Sequence, residues 1–198
     1  GISTFNVTDY GAADTIVVSS HSATFDVDNG SSKGEITAGA GTPYSTLSAG
    51  DKIIIYGTDD NDGNYTIESI AGDNVITCTG VITGADGVEA TTGIATNQTS
   101  YIQDTIDAAE AAGGGDVYFP AGTYGVAEDG SNGYDLLVSE QIRLVGDGGK
   151  VSIVKSYATD VPTFYVQAQR SVVFEGLQIT TNGGAVDGQS GIKIDSID

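Results

Sequence analysis

Between residues 116 and 194 the chain is a succession of apolar runs of three or four residues, and no helix-length segment separates any two of them. Val117-Tyr118-Phe119 comes first and is ended by Pro120-Ala121-Gly122. Runs at 123–126, 136–138, 142–145, 151–154, 163–166, 172–174, 177–179 and 191–194 follow. Doubly wound parallel sheets need crossover helices, so this pattern excludes them. Short strands joined by Gly and Asn turns instead suit a coil winding around one core. The chain holds 29 glycines and 3 prolines with no collagen period, a balance that supplies many tight turns. Phe164 lies 22 residues after Ile142 and Ile192 lies 28 after Phe164, about one turn of such a coil. Stacked turns bury continuous apolar ladders, and the first turn needs a cap over its edge and core.

The spacing predicts one helix, over 99–112. Ile102, Ile106 and Ala109 share a face, and Gly113-Gly114-Gly115 stops the helix. Thr99 or Ser100 is its expected N-cap, with Ser100 and Gln103 at capping-box spacing. This helix is the expected cap, with Ile102 and Ile106 turned to the first coil. Upstream, Phe5 and Val7 alternate with polar residues and predict a short strand, ended by a turn at Tyr10-Gly11-Ala12.

Residues 15–96 have a different texture. Short β-rich runs alternate with turn signals: Ala23-Thr24-Phe25-Asp26-Val27, Lys52-Ile53-Ile54-Ile55-Tyr56, Asn64-Tyr65-Thr66-Ile67 and Val75-Ile76-Thr77-Cys78. This segment is expected to form a small antiparallel β-barrel or sandwich. The domain division is therefore an opening strand at 1–14, an inserted β-domain at 15–96, and the capping helix with the first coils at 97–198.

Seven basic residues face 27 acidic ones, a formal net charge of −20. Nucleic acid is excluded as a partner, because phosphate binding needs clustered Lys and Arg. Anionic membranes are excluded on the same ground, and no apolar run approaches membrane-span length. The one cysteine, Cys78, is expected to be a buried structural thiol. The one histidine, His21, cannot build a multi-histidine metal site. Asp59, Asp60 and Asp62 form an acidic loop but fail the EF-hand pattern, which requires Asp where Thr58 stands and Glu where Ser69 stands. Weak calcium binding is the most that loop predicts, and no cofactor is expected.

Three segments carry a resemblance. The first is Asn6-Val7-Thr8-Asp9-Tyr10-Gly11-Ala12. The second joins Ile102-Gln103-Asp104-Thr105-Ile106-Asp107-Ala108-Ala109 to Gly113-Gly114-Gly115-Asp116-Val117-Tyr118-Phe119-Pro120-Ala121-Gly122-Thr123-Tyr124. The third is Ile142-Arg143-Leu144-Val145-Gly146-Asp147-Gly148. Together they resemble the opening of the pectate-lyase-like superfamily of right-handed parallel β-helices, over residues 1–14 and 97–198. The fold class the resemblance implies is all-β: a right-handed single-stranded parallel β-helix with a capping α-helix, plus the inserted domain. Members sharing this opening include phage tail spikes, polysaccharide lyases, glycosidases and alginate epimerases, so the fold does not choose the chemistry. In that family the opening motif runs almost directly into the capping helix; here about 82 residues intervene. Ser48–Ile55 and Asn61–Ile67 resemble small β-barrel modules of phage tail proteins.

The resemblance implies a polysaccharide partner, a homotrimer, other virion tail proteins as neighbours, and a virion-tail or extracellular location. A tail spike or fibre-like protein is the leading expectation. A secreted lyase, glycoside hydrolase or epimerase is the second, and a non-catalytic adhesive module the third. Whether the protein is an enzyme stays open, since catalytic residues in this family sit on middle coils, which are expected beyond Asp198. The candidates within the chain are the carboxylates Glu175, Asp187 and Asp195 with Lys193, where Lys193 and Asp195 share one outward face. Arg143, Lys155 and Arg170 are candidate counter-charges for a sugar carboxylate. Tyr118, Tyr124 and Tyr165 are candidates for either sugar stacking or core.

Overall fold

A computed structural model describes residues 2–128, 132–158, 161–167, 171–182 and 191–195. The chain forms two compact units, one of residues 16–97 and one of residues 1–15 with 98–198. It opens with β1 (Thr4–Asn6), followed by a 3-10 turn at Val7–Tyr10 rather than a continued strand. The Asn6 side chain accepts the Thr8 N–H at 3.0 Å, and Gly11 ends the turn at φ +99°. Val7 is thereby turned into the core.

The unit of residues 16–97 contains β2 (Val17–Asp26), β3 (Glu35–Ala38), β4 (Lys52–Tyr56), β5 (Gly63–Ala71), β6 (Val75–Cys78) and β7 (Gly87–Thr96). They pair antiparallel in the order β2-β3-β6-β5-β4-β7, and β7 closes on β2. The result is a barrel rather than a sandwich, and closure leaves no free edge. Phe25, Ile36, Ile53, Ile55, Ile67, Ile76 and Ile94 fill it, joined by Tyr44 and Leu47 from the β3–β4 connection. A Cβ at Gly93 would stand 2.3 Å from the Tyr56 ring, so a larger residue there would force that ring to move.

The other unit continues with α1 (Thr99–Ala111), then, among the described residues, nine short strands. These are β8 (Asp116–Phe119), β9 (Gly122–Val126), β10 (Leu136–Val138), β11 (Arg143–Gly146), β12 (Ser152–Ser156), β13 (Phe164–Val166), β14 (Val173–Glu175), β15 (Leu177–Thr181) and β16 (Ile192–Ile194). They fall into three parallel sheets, β1-β8-β11-β14, β9-β12-β15 and β10-β13-β16. Each pass of the chain gives one strand to each sheet, so the passes stack as rungs. Register is set by apolar side chains that alternate inward. Val117, Leu144 and Phe174 stack, as do Tyr124, Val154 and Ile179. The third ladder, Leu136, Phe164 and Ile192, advances by two steps of 28 residues. The interval from Ile142 to Phe164 is not a rung: Ile142 precedes β11, whereas Phe164 belongs to another sheet and stacks on Leu136. Inward side chains of the first two rungs are buried, whereas those of the third are half-buried or exposed, Ile194 reaching 74%.

The first rung's outer edges would leave backbone groups unpaired, and each is covered differently. β1 pairs with β8. Along β9, the Asp14 carboxylate accepts the Thr123 N–H, Thr15 N donates to Thr123 O at 2.6 Å, and Gln98 N donates to Gly125 O at 2.8 Å. Over β10, the Gln103 side-chain amide acts as a surrogate strand. Its Oε1 accepts the Leu137 N–H at 2.9 Å and its Nε2 donates to Leu137 O at 3.1 Å. Glu110 accepts from Ser139 N, Ser139 Oγ and Glu140 N. Meanwhile Ile102, Thr105, Ile106 and Ala109 of α1 are buried against the stack.

This arrangement corrects the expected capping box. The helix N-cap is Gln98 and no side chain caps it there. Gln103 is committed to β10, and the Thr99 hydroxyl exchanges hydrogen bonds with the Ala127 backbone. Pairing a strand edge replaces self-capping.

Candidate functional site

With apolar residues turned inward, the intervening positions of each sheet face outward. On β1-β8-β11-β14 this brings Asp116, Arg143 and Glu175 together. Arg143 Nη1 lies 3.0 Å from Asp116 Oδ1, and Nη2 lies 2.8 Å from Glu175 Oε2. The hydrogen bond to Glu175 and the charge of Asp116 hold the guanidinium pKa above its ordinary value. Beside them Tyr118 donates to Asp147 at 2.7 Å, which raises the Tyr118 pKa. On the β9-β12-β15 sheet Lys155 sits 4.8 Å over the Tyr157 ring, and burial lowers its pKa.

The β10-β13-β16 sheet carries a different arrangement. Tyr134, just before β10, stacks on Tyr165 of β13 with centroids 5.3 Å apart and planes 24° apart. Lys193, the register partner of Tyr165, places Nζ 5.0 Å over that ring. Asp195 accepts the Tyr165 hydroxyl, and this bond raises the Tyr165 pKa. Two aromatic rings, a cation and a carboxylate thus form one outward ladder. Offset rings and a cation over a ring face are mutually favourable. They leave ring edges and polar termini at a face where Lys193 and Asp195 are exposed.

The sequence-predicted candidates divide accordingly. Lys193 and Asp195 meet at Tyr165. Glu175 is tied to Arg143 on another sheet, so the carboxylates Glu175 and Asp195 do not share a site. Tyr124 is core, 2% exposed, with burial pushing its pKa up to about 12. Tyr118 and Tyr165 face outward. Asp187 and Arg170 lie outside the described residues. In the barrel, burial pushes the Cys78 thiol up to about 12, and His21 Nε2 lies 2.9 Å from the Tyr44 hydroxyl. The acidic loop is organised by its own carboxylate: Asp62 accepts from Gly57 N, Thr58 N and Thr58 Oγ1. Among the described residues no three His, Cys, Asp or Glu side chains are grouped to hold a metal. No strand alternation in the sequence marks Tyr134, which follows Asn132-Gly133 and directly precedes Asp135.

A family model described as "Rhamnogalacturonase A/epimerase, pectate lyase-like" matches residues 83–196. Among curated proteins, mannuronan C5-epimerase AlgE3 of Azotobacter vinelandii is 44% identical over 63 residues, 31% of this chain and 3% of that protein. AlgE1 of the same organism is 47% identical over 55 residues, 27% of this chain and 4% of that protein. Among solved structures, ORF18 of Geobacillus virus E2 shares 30% identity at a TM-score of 0.37, covering 50% of this chain and 21% of that one. The A-module of Azotobacter vinelandii mannuronan C-5 epimerase AlgE4 shares 29% identity at a TM-score of 0.32, covering 51% and 28%.

Proposed function

The chain belongs to the rhamnogalacturonase A/epimerase family of pectate-lyase-like β-helix proteins, and from that premise we propose that it acts on a polysaccharide and makes contact through the Tyr134–Tyr165–Lys193 ladder. The three stacked parallel sheets are read as the first coils of a right-handed parallel β-helix, α1 as its cap, and the barrel as a domain inserted between opening strand and cap. The observation that carries the proposal is the outward ladder itself. Tyrosine rings pack against the apolar faces of sugar rings while their hydroxyls bond to sugar oxygens, and Lys193 supplies a positive group in a chain of net charge −20.

The role proposed for this stretch is holding rather than cleaving. Glycosidic cleavage takes a pair of carboxylates flanking one bond, and Glu175 and Asp195 are engaged on separate sheets. The setting we propose is a tail spike or fibre-like homotrimer beside other virion tail proteins, a reading supported by the resemblance of the barrel segments to tail modules. Affinity electrophoresis through gels containing acidic or neutral polysaccharides tests the binding. Retardation by at least one polymer, weakened in Tyr165→Ala, is expected; free migration in every gel removes the proposal. Light scattering tests the assembly, with three times the 20.1 kDa chain mass expected.

The identity to the mannuronan C5-epimerases favours a second reading, in which the whole protein modifies a uronan. Incubation with mannuronan, followed by proton NMR of the anomeric region, distinguishes the two. New guluronate signals support the second reading, and an unchanged spectrum with retained binding supports the first.

A further inference from the structure

We infer that Asp135 is a proton-operated positioning residue, whose buried carboxyl, set beside the Ser156 hydroxyl, governs the backbone of Asn132 and Gly133 that leads into Tyr134 and so its stacking on Tyr165. Asp135 is 4% exposed, and Ser156 and Thr163 are fully buried. One carboxyl oxygen accepts the Glu128 N–H at 2.8 Å. The other, Oδ2, is buried without a hydrogen-bond partner, as are Ser156 Oγ and Thr163 Oγ1. Backbone bonds fix the placement: Asp135 N donates to Pro162 O at 3.0 Å and Leu136 N to Thr163 O at 2.9 Å. The Ser156 hydroxyl is near enough to favour the ionised carboxyl, yet outside hydrogen-bond geometry. Buried polar groups are almost always satisfied, so an unmatched Asp135 Oδ2 with the unmatched Ser156 hydroxyl near its carboxyl marks a place where a proton matters.

The link to Tyr134 is short. Glu128, held by Asp135, accepts the Asn132 N–H at 3.1 Å and the Gly133 N–H at 2.9 Å, which delivers the chain to Tyr134. Protonating Oδ2 turns an acceptor into a donor near the Ser156 hydroxyl and removes a buried charge next to Glu128. Glu128 is the charged group whose field reaches Asp135; Ser156 of β12 and Thr163 ahead of β13 are neutral. Burial, with that like charge adding to it, pushes the carboxyl up to about 6, so the change falls between pH 5 and 7. The consequence for sugar binding rests on the reading above, whereas the proton site does not.

The test is NMR of the isotope-labelled chain without saccharide, from pH 4 to 8. The Asp135 carboxyl carbon and the Tyr134 ring resonances are expected to titrate together with a midpoint near 6. In Asp135→Asn the Tyr134 change is expected to vanish. In Glu128→Gln, which keeps an acceptor oxygen for Asn132 and Gly133, the Asp135 midpoint is expected to fall. An Asp135 midpoint at the ordinary value near 4, a Tyr134 ring indifferent to that titration, or a midpoint unmoved by Glu128→Gln overturns the inference. Glu128→Gln keeps the test available if Asp135→Asn fails to fold.

Discussion

Replacing Gln103 by alanine removes the surrogate strand that covers the outer edge of β10, and the cost can be worked from its geometry. Two hydrogen bonds to Leu137 are lost, at 2.9 and 3.1 Å. Each is worth about 1 kcal/mol when the partner keeps some access to water, and Leu137 is half-buried. Alanine's better helix propensity returns a few tenths of a kcal/mol. The expected net loss is about 1.5 kcal/mol, or roughly tenfold in a local opening equilibrium. Two compact units need not unfold as one, so a global melting curve is the wrong readout. Amide hydrogen exchange is the right one: protection at Leu137 is expected to fall about tenfold, while Ile36 and Ile67 in the barrel keep theirs. Gln103→Glu separates the two bonds, because it retains the acceptor for Leu137 N–H but faces Leu137 O with a carboxylate. It is expected to be at least as damaging as alanine. Leu137 protection within twofold of wild type in both variants would refute the edge-covering argument.

Four further outcomes are expected. Gly176→Ala should unseat the turn between β14 and β15, since Gly176 sits at φ +65° and an added Cβ would meet Gly146 O at 2.3 Å; a loss of about 2–4 kcal/mol is expected from left-handed strain and overpacking, read as lost amide protection in β15. Cys78 should resist a thiol reagent at pH 8 until denaturant opens the barrel, because its pKa is pushed up to about 12 and the thiolate is the reactive form; fast native labelling would contradict this. Arg143→Ala should leave amide protection in β8 and β11 close to wild type, as its ion pairs lie at a solvated face and exposed ion pairs add little stability; a marked loss of that protection would contradict this. Asp135 has a folded pKa above its unfolded one, so its stabilising contribution is complete below about pH 4 and lost as pH rises through about 6. The stability of wild type relative to Asp135→Asn should therefore drop by about 3 kcal/mol, as an upper bound, between pH 4 and 7.5, and a constant difference would contradict that sign.

The stack was largely legible because burial on one side forces short apolar runs to alternate, and Val117, Leu144, Tyr124, Val154 and Phe164 all obey that rule. The helix was legible from Ile102, Ile106 and Ala109, but its N-terminus was misread. Ser100 and Gln103 have capping-box spacing, yet covering a strand edge satisfies more backbone than capping one helix turn, and that choice depends on contacts 34 residues away. Rung phase failed for a similar reason: Ile142 is buried and apolar like a strand residue but lies in a corner, and only pairing reveals that Leu136 is the partner of Phe164. In the barrel, β7 was missed because Gly, Ala and Thr dominate it, and it holds its place by pairing with both β2 and β4. Tyr134 and Asp135 were invisible for want of any local pattern. One gains its role from a ring stacked across rungs, the other from burial.

Chemical-shift mapping of the labelled chain against oligosaccharides from a polymer that retards it in gels tests the central claim most directly. Resonances of Tyr134, Tyr165 and Lys193 are predicted to move and to saturate together, with Tyr165→Ala weakening the response. Shifts confined to the barrel or to the Arg143 face, or none at saturating sugar, would contradict the account.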